Sequence, residues 1–106
     1  MIRLSFFALI ASASLVAPVF AADAAAGNNK SAVCQGCHGA DGISLSPEVP
    51  NLAGQKEEYL AKAITDYRSG VRKNPIMGSM VGELTDADAA DIAAFFSSLK
   101  PTGGAK

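Results

Sequence analysis

The sequence predicts an all-α domain, and three observations support this. Two segments in its second half repeat apolar residues at the spacing of a helix face. The segments around them are interrupted by proline and glycine, which favour turns and loops. Nowhere do apolar and polar residues alternate convincingly, as they would along a half-buried strand. A small helical bundle is therefore expected, and the 106 residues of the chain suffice for one domain.

The first 21 residues predict a secretory signal peptide that is removed by cleavage. Arg3 gives a short positive start, the segment up to residue 20 is mainly apolar, and Val19-Phe20-Ala21 places small residues at the two positions that matter before a cut. The alternative is a transmembrane anchor, for which the apolar stretch is marginal, since a span needs ~20 apolar residues. We therefore expect a mature chain of residues 22–106, exported to the periplasm and without a membrane span.

The mature chain begins with an alanine-rich segment, residues 23–32, which predicts the first helix. This helix leads directly into a turn that carries both cysteines, and the glycines of residues 39–42 end it. Residues 43–55 contain two prolines and show no periodicity. They therefore predict an ordered loop rather than a helix.

The second and third helices are predicted from their apolar faces. In residues 57–69 the apolar side chains share one face, the charged ones lie mainly outside it, and Gly70 ends the helix. Residues 71–82, which include Pro75, predict a second loop. Thr85 begins the last helix as its N-cap, and acidic residues follow where the positive end of the helix dipole favours them. The apolar stripe of this helix consists of Ile92, Phe95, Phe96 and Leu99.

The charge of the chain excludes nucleic acid as a partner. The sequence has nine Lys and Arg against ten Asp and Glu, and one of the nine, Arg3, lies in the leader. The mature chain is therefore slightly acidic and lacks the basic surface that binding to a phosphate backbone requires. Its large apolar residues are few, so we expect a cofactor to contribute to the stability of so small a domain.

Cys34-Gln35-Gly36-Cys37-His38 is the most specific motif of the chain. A C-x-x-C-H run in an exported protein indicates attachment of c-type haem. Two thiols separated by two residues on a turn of helix can form thioether bonds to the two vinyl groups on one edge of the ring. The adjacent imidazole then becomes an axial ligand of the iron. We therefore predict one haem c, held covalently by Cys34 and Cys37 and ligated by His38.

Two other interpretations of this motif compete with haem attachment. A dithiol redox switch is expected on a βαβ scaffold, which the helical patterns do not provide. A structural zinc site needs four ligands, whereas the chain has only two cysteines and one histidine. Both interpretations are weaker than haem attachment.

The second axial position of the iron is predicted to take a methionine. His38 is the sole histidine of the sequence, which leaves a thioether sulfur as the usual alternative in c-type carriers. Met1 is lost with the leader, so the candidates are Met77 and Met80. Either could instead fill a gap against the haem, as flexible methionine side chains often do. Their spacing alone does not separate them.

Three separated motifs make the chain similar to class I cytochrome c. They are residues 34–42, the run Pro50-Asn51-Leu52-Ala53-Gly54-Gln55, and the segment from Leu84 to Leu99. Within that family the chain most resembles a single domain of the bacterial cytochrome c4 and c553 group, and the resemblance covers nearly all of the mature chain. It implies a small helical bundle wrapped around one haem, with His and Met axial ligands, that serves as a soluble periplasmic electron carrier.

The resemblance also implies roles for particular residues. It places the axial methionine at Met77. It sets Gly27 of the first helix against Phe95 of the last, and it turns the carbonyl of Pro50 toward Nδ1 of His38. The chain departs from cytochrome c4 in one respect, because cytochrome c4 has two haem domains and this chain has one motif.

The expected function is outer-sphere electron transfer at the haem edge, with iron cycling between Fe(II) and Fe(III) and no catalysis. The partners are expected to be redox proteins that dock briefly through modest interfaces. Two alternatives stay open. The chain could be the haem subunit of a larger periplasmic oxidoreductase, or a ligand-binding haem protein with a labile sixth position.

Overall fold

The structure is a computed structural model that describes residues 5–14 and 21–104. Residues 5–14 are exposed and belong to no helix. Two parts of the predicted signal peptide lie outside the described residues: its positive start at Arg3 and the Val19-Phe20 part of its cleavage motif. Within the two described ranges, no helix is both long and apolar enough to cross a membrane.

Five helices make up the regular structure of the described residues, which confirms the all-α prediction. Their bounds are α1 Ala24–Lys30, α2 Ala32–His38, α3 Glu57–Ser69, α4 Pro75–Val81 and α5 Asp86–Ser97. Helices α1 and α3 pack against α5, and α4 packs against α3. Helix α2, which carries the cysteine motif, contacts α1.

The predicted first helix is two helices that meet at Ser31. The backbone of this residue has a ψ of 9°, outside the helical range, and its side chain is completely buried. Its hydroxyl donates to the carbonyl of Asn28 at 3.1 Å and accepts from the amide of Gln35 at 3.0 Å. These local bonds satisfy the buried hydroxyl and let the chain change direction before the cysteine motif.

The predicted loop at residues 71–82 contains a helix, α4, so that part of the prediction was wrong. Asn74 caps this helix, because its side-chain oxygen accepts from the backbone N–H groups of Ile76 and Met77, each at 3.0 Å. Pro75 is its first residue, where the missing N–H has no cost and the fixed φ favours the helix. The Asn-Pro pair therefore begins a helix rather than breaking one.

Helices α3 and α5 lie where the apolar patterns predicted them. Gly70 ends α3 with a φ of 83°, in the left-handed region that favours glycine. Thr85 caps α5 in a reciprocal arrangement with Asp88, since each side chain accepts from the other residue's backbone N–H. The core joins these two helices and consists of Leu60, Ile92, Ala93, Phe95, Phe96 and Leu99.

Gly27 allows α1 to cross α5 at very close range. A Cβ atom at this position would lie 1.9 Å from the carbonyl oxygen of Asp91 and 3.0 Å from the backbone nitrogen of Ile92. The predicted contact of Gly27 with the last helix is therefore confirmed. The nearest atoms belong to the backbone of Asp91 and Ile92, and the contact with Phe95 that the resemblance implies stays a prediction.

An ion-pair network joins the same two helices. Lys30 Nζ lies 2.9 Å from a carboxylate oxygen of Asp88 and 2.7 Å from one of Asp91. The other oxygen of Asp91 accepts from the backbone N–H of Asp23 at 2.8 Å. The hydrogen bonds from Lys30 and from the backbone of Thr85 lower the pKa of Asp88 to about 2. The network thus ties α5 to α1, the helix that α2 contacts.

Candidate haem site

Helix α2 carries both cysteines, spaced three residues apart. This spacing places them near one another on one side of the helix. Cys34 is partly buried and packs against the core of α3 and α5, whereas Cys37 is exposed. Both are free thiols, and burial raises the pKa of the Cys34 thiol. The pair therefore spans the border between core and surface, where one edge of a large flat ring could be attached.

His38 is the last residue of α2 and is buried, with 7% of its surface exposed. Its Nδ1 lies 2.8 Å from the carbonyl oxygen of Pro50, so the contact that the resemblance implied is present. A carbonyl only accepts hydrogen bonds, so Nδ1 carries the proton and donates it. Nε2 is then left with its lone pair and can bind a metal, as imidazoles do when a backbone carbonyl orients them.

The segment that brings Pro50 to His38 is an ordered loop, as predicted. The carbonyl of Gly42 accepts from the backbone N–H groups of Leu52 at 2.8 Å and Ala53 at 3.1 Å, which closes the loop on itself. Gly42 has a φ of 74°, and a Cβ there would lie 2.8 Å from the nitrogen of Ala53. The loop is also tied to α5, because Gly54 donates to the carbonyl of Phe96 at 3.0 Å. The orientation of His38 therefore depends on backbone contacts.

Met77 and Met80 both lie on α4 and differ in exposure. Met77 is partly buried, and the capping side chain of Asn74 accepts a hydrogen bond from its backbone N–H. Met80 is 44% exposed. A methionine that ligates iron in the interior must be shielded from solvent, so this difference favours Met77 over Met80.

The donor set of these residues fits haem c. It provides two free thiols, an imidazole with its proton on Nδ1 and a lone pair on Nε2, and a partly buried thioether. Among the described residues, no three side chains of His, Cys, Asp or Glu are arranged to hold a metal ion. The three residues of the motif therefore do not form a zinc site by themselves.

A cleft of about 620 Å³ lies beside Cys37, on the outer side of the motif. Its eight lining residues carry no charged side chain. They include Gly36 and Cys37 from α2, and Leu45 and Val49 from the loop. Leu45 is fully exposed. The surface next to the attachment point is thus uncharged and partly apolar.

One cluster near α4 was missed by the sequence analysis. The guanidinium carbon of Arg72 lies 4.5 Å from the ring centroid of Tyr67, and its Nη1 lies 3.5 Å from the hydroxyl of Tyr59. The two tyrosines are eight residues apart on one face of α3. That spacing was visible in the sequence, but the return of Arg72 onto this face was not.

Comparison with known proteins matches the chain to cytochromes c by its family model and by its relatives. The family model Cytochrome c matches residues 24–100. The chain is 51% identical over 84 residues to cytochrome c4 of Pseudomonas aeruginosa, covering 79% of this chain and 42% of that one. It is 49% identical over 81 residues to cytochrome c-554(548) of Halomonas halodenitrificans, covering 74% of this chain and 98% of that one.

A solved structure agrees with these matches. Reduced recombinant cytochrome c4 from Pseudomonas stutzeri superposes with a TM-score of 0.72 at 47% identity, covering 76% of this chain and 47% of that chain. The chain therefore spans about half the length of the cytochrome c4 relatives that it matches.

Proposed function

Because the chain belongs to the cytochrome c family and to its cytochrome c4 group, we propose that it is a periplasmic electron carrier with one haem. The single observation that carries this proposal is the buried imidazole of His38, oriented by Pro50 directly after two free cysteines. Haem c is covalently attached in this family, and when bound it supplies a one-electron Fe(II)/Fe(III) couple.

Four residues would hold the cofactor. Cys34 and Cys37 would form the two thioether bonds, and Nε2 of His38 would ligate the iron. Met77 would supply the second protein ligand, and its partial burial supports this choice over Met80. A methionine ligand favours the reduced state and raises the reduction potential.

The protein's own contribution is to keep this ligand set fixed. The hydrogen bond to Pro50 holds the imidazole in one orientation, which would keep this ligand fixed. The cap at Asn74 fixes the first turn of α4, on which Met77 stands. With two protein ligands, the iron would have no position left for a substrate, which favours electron transfer by the outer-sphere route.

The uncharged surface beside Cys37 supports brief docking of redox partners at this edge. Small redox encounters use modest interfaces, and an interface without charge gives little electrostatic guidance. The partners are proteins that can present a redox centre to this surface.

We also infer that residues 1–21 are a signal peptide and that residues 22–106 form the haem domain. The family model begins at residue 24, and α1 begins at Ala24 with Asp23 as its cap. A cut after Ala21 would therefore leave the cap, every helix and the contact between Asp23 and Asp91 intact.

Carbon monoxide binding tests this proposal against a ligand-binding function. We expect the reduced holoprotein to show no rapid spectral change on mixing with carbon monoxide, because Met77 occupies the sixth position. Met77→Ala is the positive control and should bind the gas rapidly. Rapid binding by the unaltered protein would overturn the carrier proposal in favour of a labile sixth site. Copurification in a stable stoichiometric complex would instead indicate a subunit of a larger oxidoreductase.

A further inference from the structure

We propose that Asn51 is a positioning residue whose side chain holds the peptide unit that orients the imidazole of His38. This inference rests on the proposed function, because the orientation of His38 affects electron transfer only if this residue ligates a haem iron. It adds one side chain to the backbone contacts of the loop, and it assigns an effect on the reduction potential to a residue outside the proposed ligand set.

The carbonyl of Pro50 belongs to the peptide unit that joins Pro50 to Asn51, and its oxygen lies 2.8 Å from Nδ1 of His38. The atoms of a peptide unit lie in one plane, so this oxygen changes direction only if the whole unit rotates between its two Cα atoms. Proline has no N–H and therefore no donor with which to anchor the unit. The nearest side chain in sequence that can anchor it is that of Asn51.

Asn51 anchors the unit by a hydrogen bond across the loop. Its Oδ1 accepts from the backbone N–H of Ser44 at 2.8 Å, a link that spans seven residues. The Cα of Asn51 is one end of the unit that carries the Pro50 carbonyl, so the link restrains that end. The next two backbone N–H groups donate to the carbonyl of Gly42, at 2.8 and 3.1 Å. Three consecutive residues thus tie the loop at its base, and Asn51 does so through its side chain.

The segment before Pro50 gives weaker support. It consists of residues 45–49 and begins with the fully exposed Leu45. Two of its N–H groups donate at 3.2 and 3.4 Å, and both acceptors belong to Ser46 of the same segment. Such local bonds shape the turn without fixing it to the rest of the protein. The link at Asn51 is therefore the side-chain tie next to the carbonyl.

Loss of the Asn51 link would weaken the hydrogen bond that His38 donates. A carbonyl that accepts from a metal-bound imidazole raises the basicity of that ligand. A more basic ligand would stabilise the oxidised iron and lower the reduction potential, since hydrogen bonding around the ligands is one of the means by which a protein tunes a haem. Releasing the carbonyl would have the opposite effect. The Asn51 link is therefore expected to keep the potential lower than it is without the link.

The test compares Asn51→Ala with Ser44→Ala in the holoprotein. Asn51→Ala removes the acceptor of the link. Ser44→Ala keeps the backbone N–H that the link uses and removes two hydroxyl contacts with Ser46, at 3.0 Å each. Hydrogen exchange, followed by nuclear magnetic resonance in the reduced state, reports the Nδ1 proton of His38. The backbone N–H of the fully buried Phe96 reports opening of the whole fold.

We expect Asn51→Ala to speed exchange of the His38 Nδ1 proton by about 2–10-fold, the range of one neutral hydrogen bond, beyond any change at Phe96. Redox titration should show a higher midpoint potential in this variant than in the unaltered protein. Ser44→Ala should change neither quantity. Asn51→Asp keeps an oxygen that can accept from Ser44, so its Nδ1 exchange should match that of the unaltered protein.

Equal acceleration at His38 and Phe96 in Asn51→Ala would overturn the proposal, because Asn51 would then contribute only to global stability. An unchanged potential in Asn51→Ala, or an equal rise in Ser44→Ala, would overturn it as well. Faster Nδ1 exchange in Asn51→Asp would contradict the role of the acceptor oxygen.

If Asn51→Ala does not retain its fold, Asn51→Gln decides, because it keeps the amide and displaces the acceptor oxygen by one methylene. Acceleration at His38 beyond that at Phe96 supports the proposal in this variant, and its absence contradicts it. Failure of the proposed function is recognised separately, since the unaltered protein would then lack covalent haem or bind carbon monoxide rapidly.

Discussion

Nδ1 of His38 lies 2.8 Å from the carbonyl oxygen of Pro50, across twelve residues of sequence. This contact links the end of the cysteine-bearing helix to the loop that follows it. It determines which imidazole nitrogen carries the proton, and therefore which nitrogen would be free to bind a metal. The proposed function depends on this assignment, and the assignment is itself measurable.

The Nδ1 proton of His38 is expected to exchange slowly with solvent, because the imidazole is buried and donates to a backbone carbonyl. The measurement is hydrogen exchange of the imidazole N–H, followed by nuclear magnetic resonance in the reduced holoprotein. The backbone N–H of Leu45, a fully exposed residue, serves as a fast-exchanging reference. An Nδ1 proton that exchanges as fast as this exposed group would contradict the hydrogen bond.

Gly27→Ala is expected to destabilise the holoprotein by about 1–3 kcal/mol, as overpacking commonly does. The added Cβ would lie 1.9 Å from the backbone oxygen of Asp91, so one helix must shift. Gly36→Ala is the matched control, since nothing lies within 4 Å of its Cβ position. Replacing a glycine within a helix by alanine should there be neutral or stabilising, by up to ~1 kcal/mol. Urea unfolding measures both, and equal effects of the two substitutions would contradict the close crossing of α1 and α5.

The Asp88 carboxylate is expected to make stability sensitive to acid. Its pKa is lowered from 3.8 to about 2 by Lys30 and Thr85. A group whose pKa is depressed in the folded state stabilises fully above its unfolded pKa and loses this effect as the pH falls through the folded value. The difference in unfolding free energy between the unaltered protein and Asp88→Asn should therefore be constant above about pH 4 and shrink toward pH 2. Urea unfolding across this range tests it, and a difference that stays unchanged down to pH 2 would contradict the ion-pair network.

Helices α3 and α5 could be predicted from sequence because each has a clear local signal at its boundary. Gly70 ends α3, and Thr85 with Asp88 begins α5. Helix α4 is too short for its periodicity to be recognised, and Pro75 was interpreted as a break. The helix begins at the cap by Asn74. In a segment of only seven residues, an Asn-Pro pair is compatible both with the start of a helix and with a turn.

The haem motif was readable because its chemistry lies in five consecutive residues. The break at Ser31 and the cluster around Arg72 could not be predicted from the sequence, for different reasons. Ser31 interrupts the helix through hydrogen bonds of its buried hydroxyl with Asn28 and Gln35, and its burial is a tertiary property. The approach of Arg72 to Tyr59 joins residues thirteen positions apart and depends on how the chain turns after α3.

The visible spectrum of oxidised Met77→Ala and Met80→Ala tests the proposed iron ligands most directly. A sulfur–iron bond gives a weak charge-transfer band at long wavelength, beyond the main haem absorption. We expect the unaltered protein and Met80→Ala to show this band, and Met77→Ala to lack it while keeping its covalent haem. Loss of the band in Met80→Ala with its retention in Met77→Ala, or absence of the band from the unaltered protein, would contradict ligation by Met77.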